Sequence, residues 1–355
     1  MASPTQTSVP TATAMSKPTA TVTPTPTSVS PGSSDPYLGV WQPDPAYPTS
    51  DYTLTALKQF EADAGTHVAI VMFWRDWAPT DKGIIDPQLL SAIRSHGSVP
   101  LITWNPANWA SSDQTPYCLQ SIIAGGEDAY LDSQARNLAS YGGPVLIRMM
   151  HEMNGNWYHQ WSPGQSDACG HVVTSSDYVA AWRHIHDRIT ADGATNVRWV
   201  WSPNIWMASS LAVDPAGDYP GDAYVDWTAL DGYNTTSSGA WMTWQQLFGY
   251  AYALLMQRYP TKPIMIAETA SGVETPAQAV MGETKAAWIT EAFASAIPAM
   301  PGIKAVVVYN QDMSSSECAG AMWPQGCAYP IESSASAQTA FAQAVASSSY
   351  NGYWP

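Results

Sequence analysis

The chain alternates short apolar runs with longer segments in which apolar and polar residues recur at helical spacing. Eight runs rich in Val, Ile, Leu and Trp are separated from one another by these helical segments. The runs are Leu38–Trp41, His67–Phe73, Val99–Trp104, Pro144–Met150, Val197–Trp201, Trp227–Tyr233, Pro263–Ala267 and Ile303–Tyr309. Continuous apolar strands joined by crossover helices predict a parallel sheet that is buried on both faces.

The segments between and after the runs predict helices, with glycine or proline at several of their ends, as at Gly142, Gly193 and Pro260. They include Thr53–Ala64, Gln88–His96, Ala129–Tyr141, Asp177–Asp192, Trp244–Arg258, Glu283–Ala296 and Ala335–Val345. Eight strands alternating with helices favour an α/β fold closed as a (β/α)₈ TIM barrel. The alternative is an open doubly wound sheet, but no Gly-rich phosphate loop follows the first strand.

Residues 1–34 differ from the rest of the chain because they consist almost wholly of Ser, Thr, Pro, Ala and Val. Such a stretch buries too little apolar surface to offset the entropy of ordering, so it is interpreted as a low-complexity linker. Residues 35–355 then form one folded domain, of a size that is common for a single α/β barrel.

The charge balance is acidic, with 14 Lys and Arg against 29 Asp and Glu and a formal net charge of -15. No basic run is present, so we expect no nucleic-acid partner. The chain has 17 Trp and 18 Tyr but only 5 Phe. Trp and Tyr combine a flat apolar face with a polar edge, and the flat C–H faces of sugar rings stack on such surfaces. The excess as a set favours a carbohydrate-binding cleft, although any single Trp is as readily a core side chain.

The four cysteines, Cys118, Cys169, Cys318 and Cys327, form no CxxC pair or Cys/His cluster of zinc spacing. We therefore expect no metal and no cofactor. Cys318 and Cys327 flank one short loop and are interpreted as a disulfide, which leaves Cys118 and Cys169 as a second bridge. The alternative is four unpaired buried thiols. An even cysteine count beside a Ser/Thr/Pro linker suits an oxidising, extracellular setting.

No apolar stretch approaches the roughly 20 residues that a membrane span needs, so no membrane association is expected. No signal peptide is visible at the first residues, which open directly into the linker composition. We expect a processed form of a secreted protein, with secretion inferred from the linker and the cysteines. We also expect a monomer.

Two glutamates stand at the ends of apolar strands: Glu152 after the fourth run and Glu268 after the seventh. A carboxylate at such a place is paired, hydrogen-bonded or functional, because desolvating a charge is costly. Active sites of (β/α)₈ barrels lie at the carboxyl ends of the strands. Two carboxyl groups facing each other there are what glycoside hydrolysis needs, one to protonate the leaving oxygen and one to attack the anomeric carbon or activate water.

The residues around these glutamates resemble glycoside hydrolase family 26, the β-mannanase family, and the resemblance extends over residues 37–355. Its most specific part is Arg148 followed by the run from His151 to Tyr158, which reads HEMNGNWY. Supporting matches are Trp199–Asn204 (WVWSPN), Asp231–Asn234 (DGYN) and Ile266–Glu268 (IAE). The resemblance implies that residues 35–355 are the catalytic domain of a glycosidase.

The resemblance also implies roles for individual residues in a retaining double displacement. Glu152 would be the general acid/base and Glu268 the nucleophile, with carboxyl groups about 5–5.5 Å apart. His151 would lie beside the acid/base, and Trp157 would line the cleft. Tyr233 would hydrogen-bond Glu268 and so hold it ionised and aimed.

Further strand-end residues are candidate substrate contacts, although each is equally a candidate scaffold residue. They are Trp104, Trp201, Asn204, Tyr309 and Trp323, and, with less weight, Trp41, Trp74, Trp77, Asn105 and Asn310. Arg148 is expected to face the barrel interior, where structural support is at least as plausible a role as substrate binding. Asp231 would orient neighbouring groups or satisfy backbone amides.

One position departs from the mannanase pattern, since mannanases of the family usually carry a Trp-His pair at the end of strand three. Here Asn105 follows Trp104 in place of the histidine. The first hypothesis is therefore an endo-β-1,4-mannanase acting on mannan or glucomannan, and the second is a mixed-linkage β-1,3-1,4-glucanase of the same mechanism. A third hypothesis, from another class, is a carbohydrate-binding protein without catalysis, against which the two glutamates argue.

Overall fold

The eight apolar runs form eight β-strands in the computed structural model, which describes residues 35–43, 52–80, 83–206 and 212–355. The strands are β1 (Tyr37–Trp41), β2 (Ile70–Asp76), β3 (Val99–Asn105), β4 (Val145–Met149), β5 (Val197–Trp201), β6 (Trp227–Asn234), β7 (Ile264–Ser271) and β8 (Ile303–Tyr309). Each strand pairs in parallel with the next, and β8 pairs with β1, so the sheet closes into a barrel. The predicted (β/α)₈ barrel is confirmed; the expected linker lies outside the described residues.

Nine α-helices accompany the strands in the described part of the chain. They are α1 (Thr55–Ala64), α2 (Pro87–His96), α3 (Leu119–Ile123), α4 (Asp128–Tyr141), α5 (Ser175–Ala191), α6 (Trp244–Arg258), α7 (Pro276–Val280), α8 (Lys285–Glu291) and α9 (Ala335–Ser347). Side-chain caps fix several starts: Thr174 and Asp177 cap α5 reciprocally, as Thr243 and Gln246 cap α6. Gly97, at φ 99°, ends α2 in the left-handed conformation that glycine adopts without strain. The five-residue helices α3 and α7 were not predicted, because they are too short for a periodic pattern.

Side chains alternate strictly between two apolar layers along most strands. One residue set fills the barrel interior and includes Met72, Leu101, Leu146, Val200, Ala229, Met265 and Val307. The neighbouring residues face the helices and include Phe73, Ile102, Ile147, Trp201, Leu230, Ile266 and Val306. The alternation decides which side chains at the strand ends reach the mouth of the barrel and which enter the outer core.

Two strands differ from their predicted bounds in ways that matter for the mouth. β2 continues to Asp76 because its last residues pair with β3, Asp76 opposite Asn105. β7 continues to Ser271, so Glu268 lies within the strand rather than after it.

The amino end of the barrel is closed by the C-terminal segment. Asn351 forms a parallel bridge with Tyr37, and the ring of Trp354 packs 4.6 Å from that of Tyr37. Among the described residues, no helix combines the length and the apolar character needed to cross a membrane.

Both expected disulfides are present. Cys118–Cys169 joins the start of α3 to the long loop after β4, and Cys318–Cys327 closes the loop after β8. All four cysteines lie in described parts of the chain, and none of them is free. The alternative of four unpaired thiols is therefore wrong.

Candidate active site

Glu268 reaches the barrel mouth through an irregularity in β7. Leu230 of β6 pairs with Ile266, but the next residue, Asp231, pairs with Glu268, so Ala267 is an extra residue in β7. A bulge of this kind reverses the alternation of side chains beyond it. Ala267 faces the interior, and without the bulge Glu268 would face the helices; instead it is 4% exposed among the polar groups of the mouth.

The Glu268 carboxylate accepts a hydrogen bond at each oxygen. Arg148 donates from Nη2 to Oε1, and the Tyr233 hydroxyl donates to Oε2. Donors of this kind, one of them charged, stabilise the negative charge and fix the direction of the carboxylate. The predicted contact between Tyr233 and Glu268 is therefore present.

Arg148 is fully buried and links its own strand, β4, to β3, β6 and β7. Its Nη1 donates to both carboxylate oxygens of Asp231 at 2.8 Å, and its Nε and Nη2 donate to Thr103 Oγ1 at 3.0 and 2.8 Å. Burial lowers the pKa of Arg148, but the charges of Asp231 and Glu268 outweigh it and raise the pKa above its ordinary value. Arg148 is thus a permanent cation that counters two carboxylates in the barrel interior.

Glu152 is held at the mouth by a loop with unusual backbone geometry. Met150 and Glu152 have φ of 46° and 51°, in the left-handed region that side chains other than glycine seldom adopt. Each such residue costs about 1–3 kcal/mol and persists only where surrounding interactions offset that cost. Here the Glu152 amide donates to Ser202 O at 2.7 Å, and Trp161 Nε1 donates to His151 O at 2.8 Å.

The Glu152 carboxyl group has neutral partners. Asn204 Nδ2 donates to Oε1 at 2.6 Å, and Trp157 Nε1 donates to Oε2 at 2.7 Å. Burial and then the charge of Glu268 raise the pKa of Glu152 to about 7, against the lowering effect of those two bonds. Near neutral pH the group is therefore poised between its acid and base forms.

The His151 imidazole lies beside Glu152 and is buried. Its Nδ1 lies 3.2 Å from Asn105 Oδ1, and its Nε2 lies 3.1 Å from the Tyr158 hydroxyl. With the Asn105 oxygen as acceptor, Nδ1 carries the hydrogen and Nε2 accepts from Tyr158. Burial and then the charge of Arg148 lower the pKa of His151 well below its ordinary value, so the ring is neutral.

Three further candidates lie on the loops or strand ends of the mouth. The ring of Tyr309 lies 5.5 Å from that of Tyr233, and its hydroxyl donates to Gln311 at 3.1 Å. Trp157 is 40% exposed, so its ring retains surface for a ligand. Trp323 Nε1 donates to Val273 O at 3.0 Å, which fixes the half-buried indole over the loop after β7.

The structure does not bring Trp104 or Trp201 to the mouth. Both are fully buried and face the helices: Trp104 Nε1 donates to the Tyr130 hydroxyl at 3.0 Å, and the Trp201 ring packs edge-on against Tyr259 at 5.7 Å. A side chain with no exposed surface cannot stack on a sugar, so the predicted substrate contacts of these two residues are corrected to core packing. Trp77 belongs to the same layer, 5.2 Å from Trp104.

The remaining candidates have partners in the mouth or next to it. Trp74 lies in the interior, with its ring 5.7 Å from the Arg148 guanidinium carbon. Trp41 Nε1 donates to Gln311 at 2.9 Å. Asn310 is buried and holds the loop after β8 by accepting from the Ile331 amide at 2.7 Å.

Several side chains that support the glutamates were not predicted as site residues. Asn154 is one, since it accepts from the Asn204 amide at 2.9 Å and donates to Asn204 O at 3.0 Å, which positions the amide partner of Glu152. Ser202 is another, since its hydroxyl donates to Asp231 at 3.0 Å. Thr103 had a usable signal, because it lies two residues after Leu101 in the same strand and so faces the same side of the sheet. Asn154 lies in the HEMNGNWY run, but the run did not indicate which residue Asn154 contacts.

Two groups of described side chains bring three possible metal-ligand atoms within 4.8 Å of one another. The groups are Cys118 with Asp167 and Cys169, and Glu61 with His67 and His96. The thiols of the first group are joined as a disulfide. The second lies around the ends of α1 and α2, at the opposite end of the barrel from the glutamates.

Comparison with known proteins gives a family match over most of the barrel. The profile described as Glycosyl hydrolase family 26 matches residues 70–294. Endoglucanase H of Acetivibrio thermocellus is 35% identical over 301 residues, which cover 84% of this chain and 29% of that protein. A mannan endo-1,4-beta-mannosidase of Bacillus subtilis is 34% identical over 99 residues, which cover 28% of this chain and 26% of that protein. The chain thus spans less than a third of the length of these two relatives.

Solved structures share the fold at lower identity. The catalytic domain of a GH26 endo-beta-1,4-mannanase from Bacillus sp. JAMB-750 aligns with a TM-score of 0.59 at 16% identity, covering 89% of this chain and 87% of that one. GH26A from Muricauda sp. MAR_2010_75 aligns with a TM-score of 0.51 at 18% identity, covering 84% and 90%. Both alignments agree with the eight-stranded barrel described above.

Proposed function

This chain belongs to glycosyl hydrolase family 26, and on that premise we propose that it is a retaining endo-β-glycanase. Glu152 is the general acid/base and Glu268 is the nucleophile. The observation that carries the proposal is the contrast between the two carboxyl groups. Glu152 has neutral partners and a pKa raised to about 7, whereas Glu268 is bonded to Arg148 and Tyr233. Two carboxyl groups whose environments differ in this way divide into an acid and a base.

In the first step, the Glu268 carboxylate attacks the anomeric carbon while Glu152 gives its proton to the glycosidic oxygen. The bond to the leaving sugar breaks, and a covalent glycosyl ester of Glu268 forms. In the second step, Glu152 takes a proton from a water molecule whose oxygen attacks the same carbon and releases Glu268. The two inversions return the starting anomeric configuration.

The electrostatic coupling of the glutamates supports the change of role of Glu152 between the steps. The charge of Glu268 is one cause of the raised pKa of Glu152. Because the ester of Glu268 carries no charge, its formation lowers the pKa of Glu152 and favours the base form. Arg148 retains Asp231 as a partner throughout, so its position does not depend on the charge of Glu268.

Two substrates share this mechanism: β-1,4-mannan or glucomannan, which the resemblance predicts, and mixed-linkage β-1,3-1,4-glucan. Two observations favour the glucan. Asn105 occupies the position where mannanases of the family usually carry histidine, and it contacts His151 beside the acid/base. The match that covers 84% of this chain is to a protein named an endoglucanase, whereas the mannosidase match above covers 28%. We propose β-glucan as the preferred substrate.

We also propose that the protein is secreted. Two disulfides are typical of proteins from oxidising compartments and support secretion. We also propose endo cleavage by a monomer, which viscometry of the polysaccharide and size-exclusion chromatography test. An early fall in viscosity with few new reducing ends is the expected sign of internal cleavage.

The deciding experiment is incubation with mixed-linkage β-glucan, glucomannan, galactomannan and xylan, followed by measurement of released reducing ends. We expect fastest release from mixed-linkage β-glucan, and NMR of the first product should show the β-anomer. Faster release from both mannans would identify mannan as the preferred substrate and would leave the proposed mechanism unchanged. An initial α-product would overturn the retaining mechanism, and no release from any polysaccharide would favour the non-catalytic alternative.

A further inference from the structure

Trp109 is an exposed aromatic residue beside a cavity that the catalytic residues do not use. It lies in the loop after β3 and is 52% exposed. The cavity has a volume of about 400 Å³ and lies between this loop and the loop after β2. Its lining includes Asp76, Ala78, Pro79, Thr80, Asn108 and Trp109. Because the cavity follows the carboxyl ends of β2 and β3, it opens on the same end of the barrel as the glutamates.

The loop that carries Trp109 is held by several hydrogen bonds of its own. Gln114 Nε2 donates to Asn108 O and to Ser111 O, both at 2.7 Å, and its Oε1 accepts from the Asn108 amide at 3.1 Å. The Cys118–Cys169 bridge then fixes the following segment to the loop after β4. A large aromatic side chain on such a loop presents its face at low entropic cost to a ligand.

An aromatic wall connects Trp109 with the catalytic residues. The Trp109 ring centre lies 6.4 Å from that of Tyr158 and 6.3 Å from that of Trp161. The Tyr158 ring lies 4.8 Å from His151, which precedes Glu152 in the chain. Trp161 and His151 are buried and Tyr158 is half-buried, so Trp109 is the exposed ring of this group. The contacts place Trp109 two ring-to-ring steps from the residue that precedes Glu152.

The cavity also offers polar groups to a sugar. Asp76 ends β2, and one of its carboxylate oxygens accepts from the Ala78 amide at 3.2 Å. An ionised carboxylate accepts up to about four hydrogen bonds, so Asp76 keeps acceptor capacity for sugar hydroxyls. An apolar platform with a few polar groups beside it is the usual composition of a small-ligand site.

We propose that Trp109 and this cavity form a distal subsite that binds one glycosyl unit of the substrate chain on the Glu152 side. Trp109 stacks on the face of the sugar ring, and Asp76 accepts hydrogen bonds from its hydroxyl groups. The inference rests on the proposed function, because it assigns an additional unit of the same polysaccharide to the same cleft. It makes affinity depend on chain length.

The test measures binding to the Glu268→Ala protein, so that turnover does not consume the ligand. Calorimetry with a trisaccharide and a hexasaccharide of mixed-linkage β-1,3-1,4-glucan, and with mannotriose and mannohexaose, gives the affinity ratio of the hexasaccharide over the trisaccharide in each series. Adding Trp109→Ala should lower that affinity ratio about tenfold for whichever type of oligosaccharide binds. Trp109→Phe should retain most of the ratio. Tyr250→Ala is the matched control, because Tyr250 on α6 is also 52% exposed and should leave the ratio unchanged.

The possible outcomes separate the subsite from the proposed function. A hexasaccharide that binds more tightly than the trisaccharide, with a ratio unaffected by Trp109→Ala, overturns the subsite alone. Equal losses for both chain lengths assign Trp109 a structural role through Tyr158 and also overturn the subsite. A parent protein that binds none of the four oligosaccharides contradicts the proposed function and the subsite together.

Discussion

Glu152 accepts hydrogen bonds from an amide and an indole, whereas Glu268 accepts them from the Arg148 guanidinium and the Tyr233 hydroxyl. Burial is nearly the same for the two glutamates, at 8% and 4% exposure. Burial alone therefore does not distinguish them, and the charge of the partners does. The cation lies beside Glu268, whereas burial and then the charge of Glu268 raise the pKa of Glu152.

The two sides of the mouth also differ in how the backbone is held. Glu268 lies in a β-strand that is hydrogen-bonded on both sides and is redirected by one extra residue. Glu152 lies in a loop whose left-handed residues are kept in place by bonds from neighbouring strands and indoles. The proposed nucleophile thus lies in a strand paired on both sides, and the proposed proton donor lies in a loop.

The largest expected effect follows from removing the proposed nucleophile. Glu268→Ala should lower kcat by about 10⁴-fold or more, because no covalent intermediate can form. The loss should be the same on a polysaccharide and on an aryl glycoside with an activated leaving group, since both need the attack on the anomeric carbon. Circular dichroism checks that the variant is folded. Substantial turnover by this variant on either substrate would sink the assignment of Glu268.

Glu152→Ala sharpens the comparison because its effect should depend on the leaving group. On the polysaccharide we expect a loss of about 10²- to 10⁴-fold, the usual contribution of general acid catalysis. The dinitrophenolate of a dinitrophenyl glycoside leaves without being protonated, so the rate of the first step should be almost unaffected. A burst of dinitrophenolate should then precede slow hydrolysis of the glycosyl ester. Equal losses on both substrates would contradict the role of Glu152 as the acid.

Tyr233→Phe removes one of the two donors to Glu268 and leaves Arg148 in place. A hydrogen bond to a charged group contributes about 1.5–3 kcal/mol, so kcat should fall about 10- to 100-fold. Steady-state kinetics on the preferred polysaccharide measure the change. Tyr250→Phe, on the surface of α6, is the matched control and should behave as the wild type. An unchanged kcat for Tyr233→Phe would mean that Arg148 alone holds the nucleophile.

The smallest expected effect is a shift in pH dependence. Because the first step needs protonated Glu152, kcat/KM should be sustained below its pKa of about 7 and should fall as pH rises through that value. Asn204→Ala removes a bond that lowers this pKa, so the alkaline limb should move to higher pH. The pH profiles of both proteins, compared at matched ionic strength, measure the shift. A limb that moves to lower pH would contradict the environment assigned to Glu152.

The sequence by itself determined the order of the strands, the barrel and the position of both glutamates near the carboxyl ends of strands. These follow from local pattern: apolar runs of strand length, helices between them, and the HEMNGNWY run after the fourth strand. The contact between Tyr233 and Glu268 was predicted because the family resemblance supplied it. The pairing of the cysteines was predicted only as one of two alternatives, because spacing restricts a disulfide without fixing its geometry.

Only the tertiary structure decided which way several side chains point. The extra residue in β7 directs Glu268 into the mouth, and a bulge is a property of strand pairing that one strand's sequence does not display. Trp104 and Trp201 end their strands as plausible sugar platforms, yet the alternation of the closed sheet turns both outward into the core. The raised pKa of Glu152 likewise depends first on burial and then on the charge of Glu268, which lies 116 residues further along the chain, and only folding produces both.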